Sequence, residues 1–202
     1  MHSSKLTDMI LIGLFAALTA VCAQIQIPAA VPFTLQTFAI FLAVGLLGGK
    51  RGTASVVIYI LLGMVGLPVF AGFKGGIAAL LGTTGGYIIG FIVSALLMWA
   101  LEKPLSFLAG KENGSVSKTN MFRKMIGPAI SMIAGLIVCY IFGTAWFVIV
   151  YTNTKEPVGI MTALGWCVFP FIIPDLIKIA LALVLTLRLR AFVPGSELYK
   201  KG

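Results

Sequence analysis

Two ionisable residues stand inside an otherwise apolar run, Pro170-Phe-Ile-Ile-Pro-Asp-Leu-Ile-Lys178. Asp175 and Lys178 are spaced i, i+3 and share one face of a helix. At the centre of a membrane helix each charge costs about 2.5–3.5 kcal/mol on insertion scales. A chain keeps both only where they neutralise each other or face a water-filled site. Three chemistries fit. A self-paired structural ion pair is the plainest. A proton relay would need a longer chain of ionisable groups, which the apolar runs do not supply. A ligand site would use each charge separately. The ammonium would pair with a carboxylate or phosphate, and the carboxylate would accept from N–H or O–H donors.

Little else in the sequence can do chemistry. Cys22, Cys139 and Cys167 all fall in apolar stretches, which argues against a disulfide framework or a zinc site. The only histidine, His2, lies at the N-terminus. No catalytic triad, metal site or imidazole-based acid–base pair can be assembled, so neither an enzyme nor a bound cofactor is expected. Gly45-Leu-Leu-Gly-Gly-Lys-Arg51 looks superficially like a phosphate-binding loop. It is one spacer short, and Arg51 stands where a Ser or Thr would hold magnesium. Energy for any active transport must therefore come from another subunit or from an ion gradient.

The elements that position the pair are set by composition. Of the 202 residues, 59% are hydrophobic and only 10% charged, against about 25% charged in a soluble domain. The chain reads as one all-α integral membrane domain of six transmembrane helices, over about 7–27, 34–49, 53–67, 85–101, 125–150 and 162–189. Residues 69–84 form a Gly-rich, partly re-entrant segment with one charge, Lys74. Residues 102–124 form the one polar loop. The start of the chain looks like a signal peptide, and Leu18-Thr-Ala-Val-Cys22 like a lipoprotein cleavage box. Val21 replaces the small residue such a box needs, and the apolar run continues to Ile27, so the segment is expected to stay as the first span.

The net charge of +9 is not a nucleic-acid signal, because the basic residues sit in short clusters between apolar runs. With six spans, Lys5, Lys50, Arg51, Lys103, Lys111, Lys118, Arg123, Lys124, Arg188, Arg190, Lys200 and Lys201 fall on one side. Only Lys74 and Lys155 fall on the other. Twelve against two places both termini in the cytoplasm. No internal repeat is visible, which argues against a carrier built from inverted halves.

A rise of roughly 1.5 Å per residue gives depth. Counting from Arg188, Lys178 lies about 15 Å and Asp175 about 20 Å into a core about 30 Å thick. Gln36 lies about 21 Å from Lys50, Tyr87 about 22 Å from Glu102 and Tyr140 about 24 Å from Lys124. Thr34, Thr83 and Thr84 sit slightly further out. Each has a plain explanation alone, since membrane Thr hydroxyls bond their own helix and Tyr residues belt the interface. Together they form a polar cluster in the outer half, loaded from outside. Phe33, Phe70, Phe73, Tyr87 and Trp166 offer apolar walls, for ligand or for packing. The ligand that suits this is small and amphipathic, with an anionic end and a donor-rich end.

Small residues repeat every four positions as Gly82, Gly86 and Gly90, and as Gly13/Ala17 and Ala16/Ala20. Such stripes let helices approach closely. In the fourth span they read as internal packing; in the first, packing and a partner surface are both open.

The chain resembles the BioY family, the biotin-binding S components of energy-coupling factor (ECF) vitamin transporters. The matching stretches are Val31-Pro-Phe-Thr-Leu-Gln-Thr37, Gly48-Gly-Lys-Arg-Gly52, Tyr59 and Gly66-Leu-Pro-Val-Phe-Ala-Gly72. Gly82-Thr-Thr-Gly-Gly-Tyr-Ile-Ile-Gly-Phe91 and the run from Pro170 to Lys178 complete them. The resemblance implies a six-helix S-component fold in a bacterial plasma membrane, with an outward pocket capped by the first loop. It implies biotin as transported ligand, with Asp175 accepting from the ureido N–H groups and Lys178 meeting the valerate carboxylate. Thr84, Gly85 and Tyr87 would line the pocket. Ala16 and Ala20 would dock the transmembrane coupling protein EcfT, driven by two ATPase subunits. Two positions depart from the family pattern: Thr83 replaces a common Pro, and Pro174 a common Gly, the latter fixing the backbone just before Asp175. Three rivals stay open: a carrier for another carboxylated vitamin, a stand-alone or proton-coupled carrier, and a membrane scaffold with a self-paired Asp175 and Lys178.

Overall fold

The computed structural model describes residues 5–106 and 118–193. His2, Lys111, Lys200 and Lys201 lie outside the described residues, and the side chains of Lys118, Arg123 and Lys124 outside the described side chains. The chain folds into α1 (Lys5–Gln24), a two-stranded hairpin of β1 (Gln26–Ile27) and β2 (Phe33–Thr34), α2 (Gln36–Leu47), α3 (Gly49–Met64), α4 (Ile77–Leu81), α5 (Gly85–Ser106), α6 (Lys118–Thr154), α7 (Ile160–Cys167) and α8 (Ile172–Leu189). Short 3₁₀ turns at Phe169–Phe171 and Arg190–Phe192 flank α8.

The all-α membrane class holds. Among the described residues, four helical stretches are long and apolar enough to cross a bilayer: Lys5–Gln24, Gly85–Leu105, Met125–Thr154 and Ile160–Leu189. The second and third expected spans are shorter. With 12 and 16 residues, α2 and α3 reach about 18 and 24 Å, short of a core of about 30 Å. The interior is an apolar core that encloses a small polar group, and the outer surface is apolar as well. Asp175, Lys178, Gln36 and Thr186 are buried, while Leu6, Ile10, Ile141, Ile173 and Ile177 are exposed. Lipid, not water, suits that outer surface.

Several expected boundaries move. The first helix stops at Gln24, not Ile27, because Gln26 and Ile27 pair antiparallel with Thr34 and Phe33. The polar loop is narrower than 102–124, since α5 runs to Ser106 and α6 begins at Lys118. The single helix expected over 162–189 is two. Pro170 carries no N–H and its ring crowds the preceding turn, so the chain breaks over Val168–Phe171 before α8 starts. Pro174 causes no break, because it sits in the first turn of α8, where its missing N–H would be unpaired anyway.

One end of the bundle is fastened by charge. Asp8 of α1 pairs with Arg51 of α3 at 2.8 Å. Glu102 of α5 accepts from the Gly49 N–H at the start of α3, 2.8 Å away. Arg190 donates to the Gly45 carbonyl near the end of α2, 3.1 Å away. An anion at a helix N-terminus and a cation at a C-terminus both suit the helix dipole. Between α2 and α3 the turn rests on Gly48 at φ +80°, a conformation L side chains avoid. The would-be phosphate loop Gly45–Arg51 is thus a helix end, a turn and a helix start.

The glycine repeat of the fourth span packs internally. A side chain at Gly86 would strike Trp146, one at Gly90 would just touch Cys139, and Gly143 in turn makes room for Tyr87. Gly82 precedes the helix, and its carbonyl accepts from the Trp146 indole at 3.0 Å.

Candidate ligand site

On α8 the buried residues Asp175, Lys178, Ile179, Ala182, Leu183 and Thr186 recur at three- and four-residue steps, the face a helix turns to its neighbours. That face puts Asp175 and Lys178 against α2 and α6. Lys178 Nζ lies 2.7 Å from Asp175 Oδ1. It also donates to the Thr34 carbonyl at 2.6 Å and to Thr37 Oγ1 at 3.2 Å, and stands 3.9 Å from the centre of the Phe33 ring. Thr37 donates its own proton to Asp175 Oδ1 at 3.0 Å, and the Tyr140 phenol donates to Oδ2 at 2.5 Å. The pair is therefore neutralised and hydrogen-bonded, the condition under which buried charges are tolerated.

A second chain of hydrogen bonds runs outward from Thr34. Its hydroxyl donates to Gln36 Oε1 at 2.8 Å, and Gln36 Nε2 donates to the Tyr59 hydroxyl at 2.6 Å. Tyr59 then donates to the Val69 carbonyl at 3.2 Å. Gln24, at the end of α1, clamps the same segment. Its amide nitrogen donates to the carbonyls of Val69 and Phe70, and its oxygen accepts from the Phe73 N–H at 3.0 Å. The Phe70 ring packs edge-on against Tyr59 over Gly63, where any side chain would collide with it.

These elements enclose a cavity with about 90 Å³ of water-accessible space. Of the residues singled out from the sequence, Asp175, Lys178, Thr34, Gln36, Phe33, Phe70, Thr84, Tyr87 and Tyr140 line it. Tyr87 is fixed by Thr144, 2.8 Å from its hydroxyl.

Others fall elsewhere. Gly85 stands behind the wall, where a side chain would run into the Leu80 carbonyl; it allows α4 and α5 to meet. Phe73 is 72% exposed, turned outward by a left-handed backbone at φ 56°. Trp166 is half-exposed and packs edge-on against Tyr151, beyond the break that Pro170 makes. Ala16 is buried and Ala20 partly buried against the core, so both lie on the inward side of α1. The small residues on its outward side are Gly13 and Ala17.

Sequence reasoning did not single out Thr37, Tyr59 or Gln24 for a role. Thr37 had a usable signal, since it follows Gln36 as a second polar residue in the first turn of an otherwise apolar helix. Gln24 had none, because its partners are main-chain atoms 45 to 49 residues away.

The comparisons agree with this architecture. Residues 1–195 match the model of the BioY family. The chain is 39% identical over 187 residues to a probable biotin transporter BioY from Pyrococcus horikoshii, covering 92% of this chain and 98% of the relative. It is 40% identical over 180 residues to the biotin transporter BioY of Thermotoga maritima, covering 88% and 92%. Its fold is similar to the crystal structure of the S-component for biotin from an ECF-type ABC transporter, with a TM-score of 0.76, 30% identity and coverage of 93% and 92%. A match over almost the full length, joined to an interior pair of charges facing a cavity, is decisive: the chain belongs to the BioY family.

Proposed function

We propose that this chain is the membrane subunit that captures biotin for uptake. The observation that carries the reading is the Asp175–Lys178 pair, buried at a cavity wall in a chain similar over about nine-tenths of its length to biotin transporters. Biotin offers ureido N–H donors and a carboxylate on one small, largely apolar body. The cavity lining offers an acceptor at Asp175, two cations at Lys74 and Lys178, and aromatic walls from Phe33 and Tyr87. The chain acts as a transporter component, not an enzyme.

The ECF context of the structural relative supports a fuller assembly. In it, the chain works in a bacterial plasma membrane with a transmembrane coupling protein of the EcfT type and two ATPase subunits. Those subunits supply the energy for which this sequence carries no motif. The residues lining the cavity are the proposed contacts, with Asp175 the acceptor for the ureido group.

Purified protein tests this with labelled biotin, competed by desthiobiotin, thiamine and riboflavin. Saturable binding displaced by desthiobiotin alone is the expected result. Displacement by thiamine or riboflavin would move the ligand to another vitamin. Uptake by cells lacking the coupling subunits, abolished by an uncoupler, would replace the assembly with a proton-coupled carrier.

A further inference from the structure

The ammonium of Lys178 has three protons, and each already has an oxygen: the Thr34 carbonyl, Asp175 Oδ1 and Thr37 Oγ1. Phe33 covers a further side. A ligand carboxylate arriving there would have to displace one of these oxygens. It would also lie beside the Asp175 carboxylate, where two anions repel strongly in a medium of low dielectric. Asp175 is less fully used. Three donors reach it, from Lys178, Thr37 and Tyr140, against about four acceptor positions on a carboxylate. The inner group is thus built to accept one more hydrogen bond, not to pair a second anion.

A different cation lines the same cavity, Lys74. Its side chain is exposed, and among the described residues no acidic side chain pairs with it. Its backbone is held in place. Phe70 and Lys74 exchange two main-chain hydrogen bonds, at 2.9 and 3.2 Å. Gln24 and Tyr59 pin the residues before it, and Gly75 after it packs against the Leu67 carbonyl. A free cation on a fixed loop at the rim is the arrangement that receives an anion.

Taking biotin as the ligand, we infer that Lys74 receives its carboxylate, while Lys178 serves as a positioning residue that holds Asp175 for the ureido end. The ligand then lies with its donor-rich end at α8 and its anionic end at the 70–74 loop.

Calorimetry on the full detergent-purified chain, with biotin and with its neutral carboxamide, tests this. The wild type should prefer biotin to the amide. Lys74→Gln should weaken biotin about tenfold, leave the amide within about twofold, and so erase the preference. Lys74→Arg should keep it. Unchanged amide binding shows that the variant is folded. A preference that survives Lys74→Gln, equal weakening of both ligands, or a wild type indifferent to the carboxylate would each overturn the assignment and leave biotin capture intact. A wild type that binds neither ligand would overturn both readings.

Discussion

Lys178 donates to the backbone carbonyl of Thr34, 2.6 Å away and 144 residues earlier in the chain. The bond joins the charge pair on α8 to the end of the first loop, where β2 passes into α2. From Thr34 the hydrogen bonds continue through Gln36 and Tyr59 to Val69. The inner charges and the outer 69–74 segment belong to one connected polar structure.

Removing the anion should be costly. Asp175→Asn leaves the Lys178 ammonium buried without its counter-charge and turns one of the two acceptor oxygens into an N–H donor. Biotin affinity should fall by about 2 kcal/mol or more, roughly 30-fold. Titration calorimetry measures this, and thermal unfolding should show a loss of stability in the same variant.

Thr37 serves both charges at once, accepting from Lys178 and donating to Asp175. Thr37→Val keeps the shape and removes the hydroxyl, which should cost about 1–2 kcal/mol of affinity. Thr37→Ser should restore most of it. Equal binding by the Val and Ser variants would remove Thr37 from the network.

Gln24 holds the 69–73 segment, whose Phe70 and Ala71 line the cavity. Gln24→Leu preserves size but drops all three contacts to residues 69–73. The expected result is faster release of labelled biotin, by about five- to tenfold, with the fold intact. Amide exchange should rise at Phe73, whose N–H loses its acceptor.

Gly52 sets how closely α2 and α3 cross. A side chain there would press into the Val44 backbone, which cannot rotate away as a side chain could. Gly52→Ala should destabilise the protein by about 1–3 kcal/mol, measured by thermal unfolding in detergent. Gly13→Ala on the outward face of α1, where the added methyl meets nothing within 4 Å, should leave stability unchanged.

Much of this was legible in the sequence because membrane burial is expensive. Asp175 and Lys178 stood out since an apolar run has no other reason to hold them. Rise per residue then brought Gln36, Tyr87 and Tyr140 to their level, and all three line the cavity with the pair. Bilayer arithmetic did not reveal where short elements stop. The hairpin that ends α1 at Gln24 depends on the pairing of Gln26 and Ile27 with Thr34 and Phe33, and the break at Pro170 on the proline ring; hydropathy registers neither. The same limit explains Trp166 and Phe73, which lie near enough in depth but face away. It explains Ala16 too: a small-residue stripe looks the same whether it faces a partner or its own core. The structure turns Ala16 inward and leaves Gly13 and Ala17 outside.

The central claim is that the Asp175–Lys178 pair exists to hold a ligand and not merely to neutralise itself. The double variant Asp175→Leu, Lys178→Met tests it most directly, by labelled-biotin binding and thermal unfolding on the same purified sample. An apolar replacement of a buried ion pair is often neutral or stabilising, so the fold should survive. The account predicts a folded protein without saturable biotin binding. A folded double variant that binds biotin as tightly as the wild type would contradict it.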